Sequence, residues 1–139
     1  MQALTAEGFE VEVFEPQRRG KQMLEDYSRI RTSADAILDF EVGIPFLDDL
    51  IAQGGGFLPS VTVDVQMIKV GGRRPVIFRQ AYAYENREPD SLRFIMAPVD
   101  QTCRFESIKA AYDDQAHLGE CLRAAAPKIA RLVADVLKP

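Results

Sequence analysis

The sequence predicts an α/β chain of mixed α+β character: a βαβ unit followed by an antiparallel hairpin in one mixed sheet, packed by helices that include a long C-terminal one. Three patterns carry this expectation. Apolar and acidic residues alternate from Ala34 to Ile44, and two more alternating runs, Ser60 to Val70 and Val76 to Tyr84, flank a Gly-Gly-Arg-Arg-Pro connection. Apolar residues then recur at spacings of three and four from Leu118 to Leu137. Alternation marks a half-buried strand, and the longer spacing marks an amphipathic helix. The 139 residues fit one domain, spanning 1–139, large enough to bury a core without metal or disulfide support.

Taken in order, residues 1–7 run into Gly8, a residue common just past a helix end. They read as the last turns of a helix that starts before Met1, so the chain is expected to be an N-terminally trimmed part of a longer precursor. Phe9, Val11 and Val13 alternate with Glu10 and Glu12 as a strand over 9–14. After a turn at 16–20, Met23, Leu24, Tyr27 and Ile30 give an amphipathic helix over 21–31. The strand over 34–44 places Ala34, Ala36, Leu38, Phe40, Val42 and Ile44 on one, inward face and Asp35, Asp39 and Glu41 on the other, partly solvated one, completing a right-handed βαβ unit. Residues 45–58 read as a loop, or a short helix with a loop, that is unusually apolar.

The alternation of the 60–70 strand slips at Met67-Ile68, as at a β-bulge. Its partner, Val76 to Tyr84, places Val76, Phe78, Tyr82 and Tyr84 on one face and Ile77, Ala81 and Ala83 on the other, where small residues leave room for a helix. A short strand or helical turn is expected over 92–97 and a short helix over 106–112. Asp113 or Asp114 caps the terminal helix, and Pro127 breaks or kinks it near Ala124.

Lys and Arg number 17 against 21 Asp and Glu, a net charge of -4 that argues against a general nucleic-acid partner. One His and two Cys fall short of a structural metal set, so no metal or cofactor is expected. No run reaches the roughly 18 apolar residues of a membrane-spanning helix. Nor does the N-terminus carry a basic, then apolar, secretory signal. Gly54-Gly55-Gly56 lacks the Lys-Ser/Thr of a phosphate loop and runs into Phe57-Leu58-Pro59, so it reads as a tight turn. Cys103 and Cys121 either close an 18-residue loop as a disulfide or stay as two small apolar thiols. His117 has no nucleophile placed near it by sequence, and the carboxylates of 35, 39 and 41 read as a solvated strand face. The cations Lys69, Arg73, Arg74 and Arg79 read as a soluble hairpin, with lipid headgroups or an acidic partner as the functional alternative. Phe46, Leu47, Leu50, Ile51, Phe57 and Leu58 are the candidate contact surface, provided they do not fold back on the core.

Three stretches carry a family resemblance: Ala34-Asp35-Ala36-Ile37-Leu38-Asp39; Leu58-Pro59-Ser60-Val61-Thr62-Val63 through the turn to Phe78 and Tyr82-Ala83-Tyr84; and Arg104-Phe105-Glu106-Ser107 with the Asp-capped helix that ends in Ala130-Arg131-Leu132-Val133. In these the chain resembles the periplasmic domains of bacterial envelope lipoproteins, the group of the curli-secretion lipoprotein, the lipoprotein activator of penicillin-binding proteins and the TolB amino-terminal domain. The chain departs from a complete member at its N-terminus, where neither a lipobox Cys nor a first strand is present. The resemblance implies a helix-covered mixed sheet in the periplasm, held at the outer membrane only through an N-terminal lipid, with no catalytic residues and no cofactor. It also implies a protein partner of the cell envelope, or self-association into a homo-oligomer. The alternative from another class is a cytosolic small-molecule-binding or regulatory module.

Overall fold

In a computed structural model of the chain, the structure describes residues 2–13, 27, 30–49, 55–71, 75–86 and 94–138. Five strands form one sheet: β1 (Ala36–Val42), β2 (Phe46–Asp49), β3 (Phe57–Lys69), β4 (Val76–Tyr84) and β5 (Phe94–Ala97). The 13-residue β3 is the spine, antiparallel to β1 and β2 on one side and to β4 on the other. β5 lies parallel to β4 and makes the sheet mixed. Helices α1 (Gln2–Ala6), α2 (Ile108–Asp113), α3 (Gln115–Arg123) and α4 (Ala125–Leu137) complete the expected α+β class.

Local chemistry sets several boundaries where the sequence puts them. α1 stops at Gly8, whose φ is +87°. The β3–β4 register shifts between Met67 and Ile68: Met67 faces Phe78 while Ile68 faces Val76, leaving Ile77 as the extra residue of a bulge. Ser107 accepts from the Ala110 N–H to start α2, and Asp114 accepts from the His117 N–H to start α3. The terminal helix breaks at Ala124, because Pro127 has no N–H to carry the α3 ladder onward; as the third residue of α4 it sits where none is needed.

The main core lies between one sheet face and the α3–α4 layer. Val61, Val63 and Val65 of β3 and Tyr82 and Tyr84 of β4 pack with Cys121, Ala125, Ile129 and Val133. The helices therefore cover the tyrosine face of β4, not the expected Ala81/Ala83 face. Small residues permit a close approach, but the large area two aromatics bury decides which face is covered. A second cluster on the opposite face joins Tyr27, Ile37 and Ile68, with Ile30 and Val70 packed against it.

The first strand of the expected βαβ unit does not form. Residues 9–13 belong to no strand, and Phe9 and Val13 are exposed. Alternation specifies which side of a strand would be apolar but supplies no partner, and none of the described strands pairs with 9–13. The parallel pair is β4–β5 instead. The expected 21–31 helix lies mostly outside the described residues; within it, Tyr27 and Ile30 are in no helix and are joined by an Ile30 N–H to Tyr27 carbonyl bond of 3.1 Å. The expected 45–58 loop is likewise corrected: Phe46–Asp49 and Phe57–Ser60 pair as β2 and the start of β3, so the apolar residues read as a connection are strand residues.

The rings of Tyr82 and Tyr84 are fully buried, and the Tyr82 hydroxyl has no hydrogen-bond partner among the described residues. Burial pushes the Tyr82 phenol above its ordinary value of 10.0. Replacing Tyr82 by Phe removes a desolvated hydroxyl and should stabilise the domain by about 1 kcal/mol in urea unfolding at neutral pH. A folded-state pKa raised above the unfolded one gives a contribution fully present below pH 10.0 and lost as pH rises through the folded value. The parent should therefore lose stability above that pH, and the advantage of Tyr82→Phe should widen there. A variant less stable than the parent would show that the hydroxyl is satisfied.

Candidate functional site

β1 and β2 lie end to end along the same side of β3. Val42 faces Val63 and Phe46 faces Ser60, so residues 43–45 oppose only residues 61–62, a one-residue bulge. Gly43 holds it close: its N–H donates to the Thr62 carbonyl at 2.8 Å, and a Cβ there would overlap the Thr62 hydroxyl.

Phe40 and Val42 share the sheet face that carries the helices, opposite Val65 and Val63. The helices pack over β3, β4 and β5 and stop short of this margin. Phe40 is 40% exposed, Val42 57%, Ile44 in the bulge 71% and Phe46 45%. Four large apolar side chains within seven residues are thus exposed along one edge, Phe40 and Val42 on the helix-bearing face and Phe46, paired with Ser60, on the opposite one; exposed apolar residues gathered in this way mark an interface.

Of the expected contact residues, Phe46 lies on this surface and Leu47 and Phe57 are half-buried. Leu58 is 1% exposed and belongs to the core, so it is no contact residue. Leu50 and Ile51 lie outside the described residues. Phe40, Val42 and Ile44 were missed, because alternation assigned them to an inward face. The apolar tract that continues unbroken by charge from Val42 through Leu47 was the available signal.

Other motifs resolve structurally. Gly55 and Gly56 take φ of +80° and +92°, values that favour glycine. The Arg104 guanidinium donates to the Gly55 carbonyl, and Phe57 and Phe105 exchange two backbone bonds of 2.8 Å, tying the glycine turn to the start of the helical region. Cys103 and Cys121 are joined as a disulfide, Cα to Cα 5.7 Å, with both residues buried. His117 donates from Nε2 to the Thr102 carbonyl at 3.0 Å, and its ring lies 5.4 Å from that of Phe105 and beside the Cys121 sulfur.

Asp39, expected on a solvated face, is 8% exposed. The Tyr27 hydroxyl donates to its Oδ2 at 2.5 Å, and Gln66 Nε2 donates to that hydroxyl at 2.6 Å. Alternation cannot reveal that a distant tyrosine covers this face. Asp35 stays exposed, so the two carboxylates occupy different environments and form no acid–base pair. No group of three or more His, Cys, Asp or Glu side chains able to hold a metal occurs among the described residues. No helix there is long and apolar enough to cross a membrane. No family model matches the chain, and no curated protein or solved structure matches it either.

Proposed function

We propose that this chain is a non-enzymatic periplasmic domain of an envelope lipoprotein that acts through protein–protein contacts at the Phe40–Phe46 edge. The observation that carries the contact reading is the exposure of Phe40, Val42, Ile44 and Phe46 along the edge formed by β1 and β2. A surface of this kind costs solvation while free and is kept where a partner covers it. The buried Cys103–Cys121 disulfide supports an oxidising compartment such as the periplasm. The lipoprotein-like stretches of sequence point to the same setting.

A photo-crosslinking residue placed at position 44 and, as control, at exposed Glu120 tests both parts in the bacterial cell. Adducts at 44 but not at 120, recovered from the periplasmic fraction, are expected. Equal adducts at both sites remove the contact reading. A cytosolic fraction with two alkylatable thiols removes the envelope reading.

A further inference from the structure

Where the sheet end meets the helical layer, the fold brings a disulfide and an imidazole together. Cys103 closes the three-residue turn Gln101–Cys103, and its partner Cys121 lies in the second half of α3. His117, one helical turn before Cys121, places Nε2 3.8 Å from the Cys121 sulfur. The same nitrogen donates to the Thr102 carbonyl at 3.0 Å, and a carbonyl only accepts, so Nε2 carries a hydrogen. The charged groups around it are engaged elsewhere. Asp100 accepts from the Thr102 N–H and hydroxyl, Asp114 accepts from the His117 backbone N–H, Asp113 pairs with Lys109, and Arg104 donates to the Gly55 carbonyl.

The two sulfurs are not equivalent. Both are buried in the oxidised protein, so a reagent reaches them through a local opening. The turn is the weaker element. Gln101, Thr102 and Arg104 are exposed around Cys103, and the turn is held by the Asp100 cap and two short-range backbone bonds. α3 spans nine residues, starts on the Asp114 cap and sets Cys121 in the main core. Lifting the turn therefore uncovers the Cys103 sulfur and removes Thr102 from Nε2. Cys121 and His117 stay side by side, because both stand on α3.

We propose that Cys103 is a thiolation site, at which a small thiol displaces Cys121 and the His117 N–H stabilises the departing thiolate. The incoming thiolate bonds to Cys103 Sγ as the Cys103–Cys121 bond breaks, and the electron pair of that bond goes to Cys121 Sγ. The incoming sulfur is oxidised to the disulfide level while Cys121 is reduced to a thiolate, so the exchange consumes no outside oxidant. Nε2–H, released from the Thr102 carbonyl, donates to this thiolate, and a stabilised leaving group speeds the exchange. The inference rests on the disulfide and its imidazole neighbour, not on the contact edge or the compartment.

The test incubates the oxidised protein at neutral pH with reduced glutathione, quenches with acid, blocks free thiols with a maleimide and locates both labels by peptide mass spectrometry. Glutathione on Cys103 and maleimide on Cys121 are expected in the parent. His117→Phe keeps a ring against Phe105 and removes the N–H, and it should slow adduct formation about fivefold. His117→Gln restores an N–H and should recover most of the rate. A histidine that only fastened the turn would give the opposite sign, because His117→Phe would then lift the turn more often and speed the exchange. Adduct chiefly on Cys121, exchange in His117→Phe as fast as in the parent or faster, a His117→Gln variant as slow as His117→Phe, or no adduct on the folded protein overturns the proposal. The position of the adduct in the parent decides the matter if His117→Phe does not fold. Cross-linking at positions 44 and 120 bears on the contact edge alone, so either reading can fail without the other.

Discussion

Reducing the Cys103–Cys121 disulfide should lower the melting temperature of the domain by about 10 °C. The bond closes a loop of sequence separation 18. In the chain-entropy treatment such a loop restricts the unfolded chain by about 3 kcal/mol. For a chain of this size each kcal/mol moves the midpoint by about 3 °C. The bond ties the 3-10 turn at Gln101–Cys103, which follows β5, to the inner side of α3, so it joins the end of the sheet to the helical layer. Both cysteines are buried, at 5% and 2% exposure, so reduction requires local opening and should be slow in the native state. Differential scanning calorimetry of oxidised protein, reduced protein and the Cys103→Ala/Cys121→Ala variant checks this. The last two should melt together, well below the first. Protein purified without reductant that shows two titratable thiols and the same midpoint as the variant would refute the bond.

This bond was legible in the sequence only as one of two options, because spacing shows that a loop can close and not whether the two Cβ atoms meet. Features governed by local chemistry were more visible. The Met67-Ile68 slip, the Asp114 cap and the break caused by Pro127 depend on a few adjacent residues, and each falls where the sequence puts it. Features that depend on distant partners were not. Phe9 to Val13 alternates like a strand yet pairs with no strand among the described residues, whereas Phe46 to Asp49, which does not alternate cleanly, pairs because the start of β3 lies within reach of a short connection. The candidate edge follows the same rule. Inward-facing periodicity on β1 is real, but Phe40 and Val42 stay exposed because the α3–α4 layer is centred on β3 to β5. Asp39 reverses the case: a carboxylate that reads as solvated is covered by a tyrosine twelve residues earlier in the chain.

That tyrosine supports the second large effect. Tyr27→Phe should destabilise the domain by about 2 kcal/mol, since it removes two buried hydrogen bonds at once, one of them to a carboxylate. Tyr27, Asp39 and Gln66 are each no more than 8% exposed. The hydroxyl is the middle member of the chain, donating to Asp39 and accepting from Gln66. The ring itself packs with Ile37 and Ile68, which Phe preserves, so the loss reports the hydroxyl and not the packing. The Asp39→Asn/Tyr27→Phe pair should then cost less than the sum of its parts, because the acceptor that needs the hydroxyl has lost its charge. Amide exchange gives the local readout. In Tyr27→Phe it should quicken in β1 and at the Gln66–Ile68 end of β3 while the α3 and α4 amides keep their protection relative to global unfolding. A variant within 0.5 kcal/mol of the parent, roughly the range of ordinary surface substitutions, would show that packing alone fastens this face of the sheet. Loss of protection throughout α4 as well would show that the two faces unfold as one unit and that the network is not local.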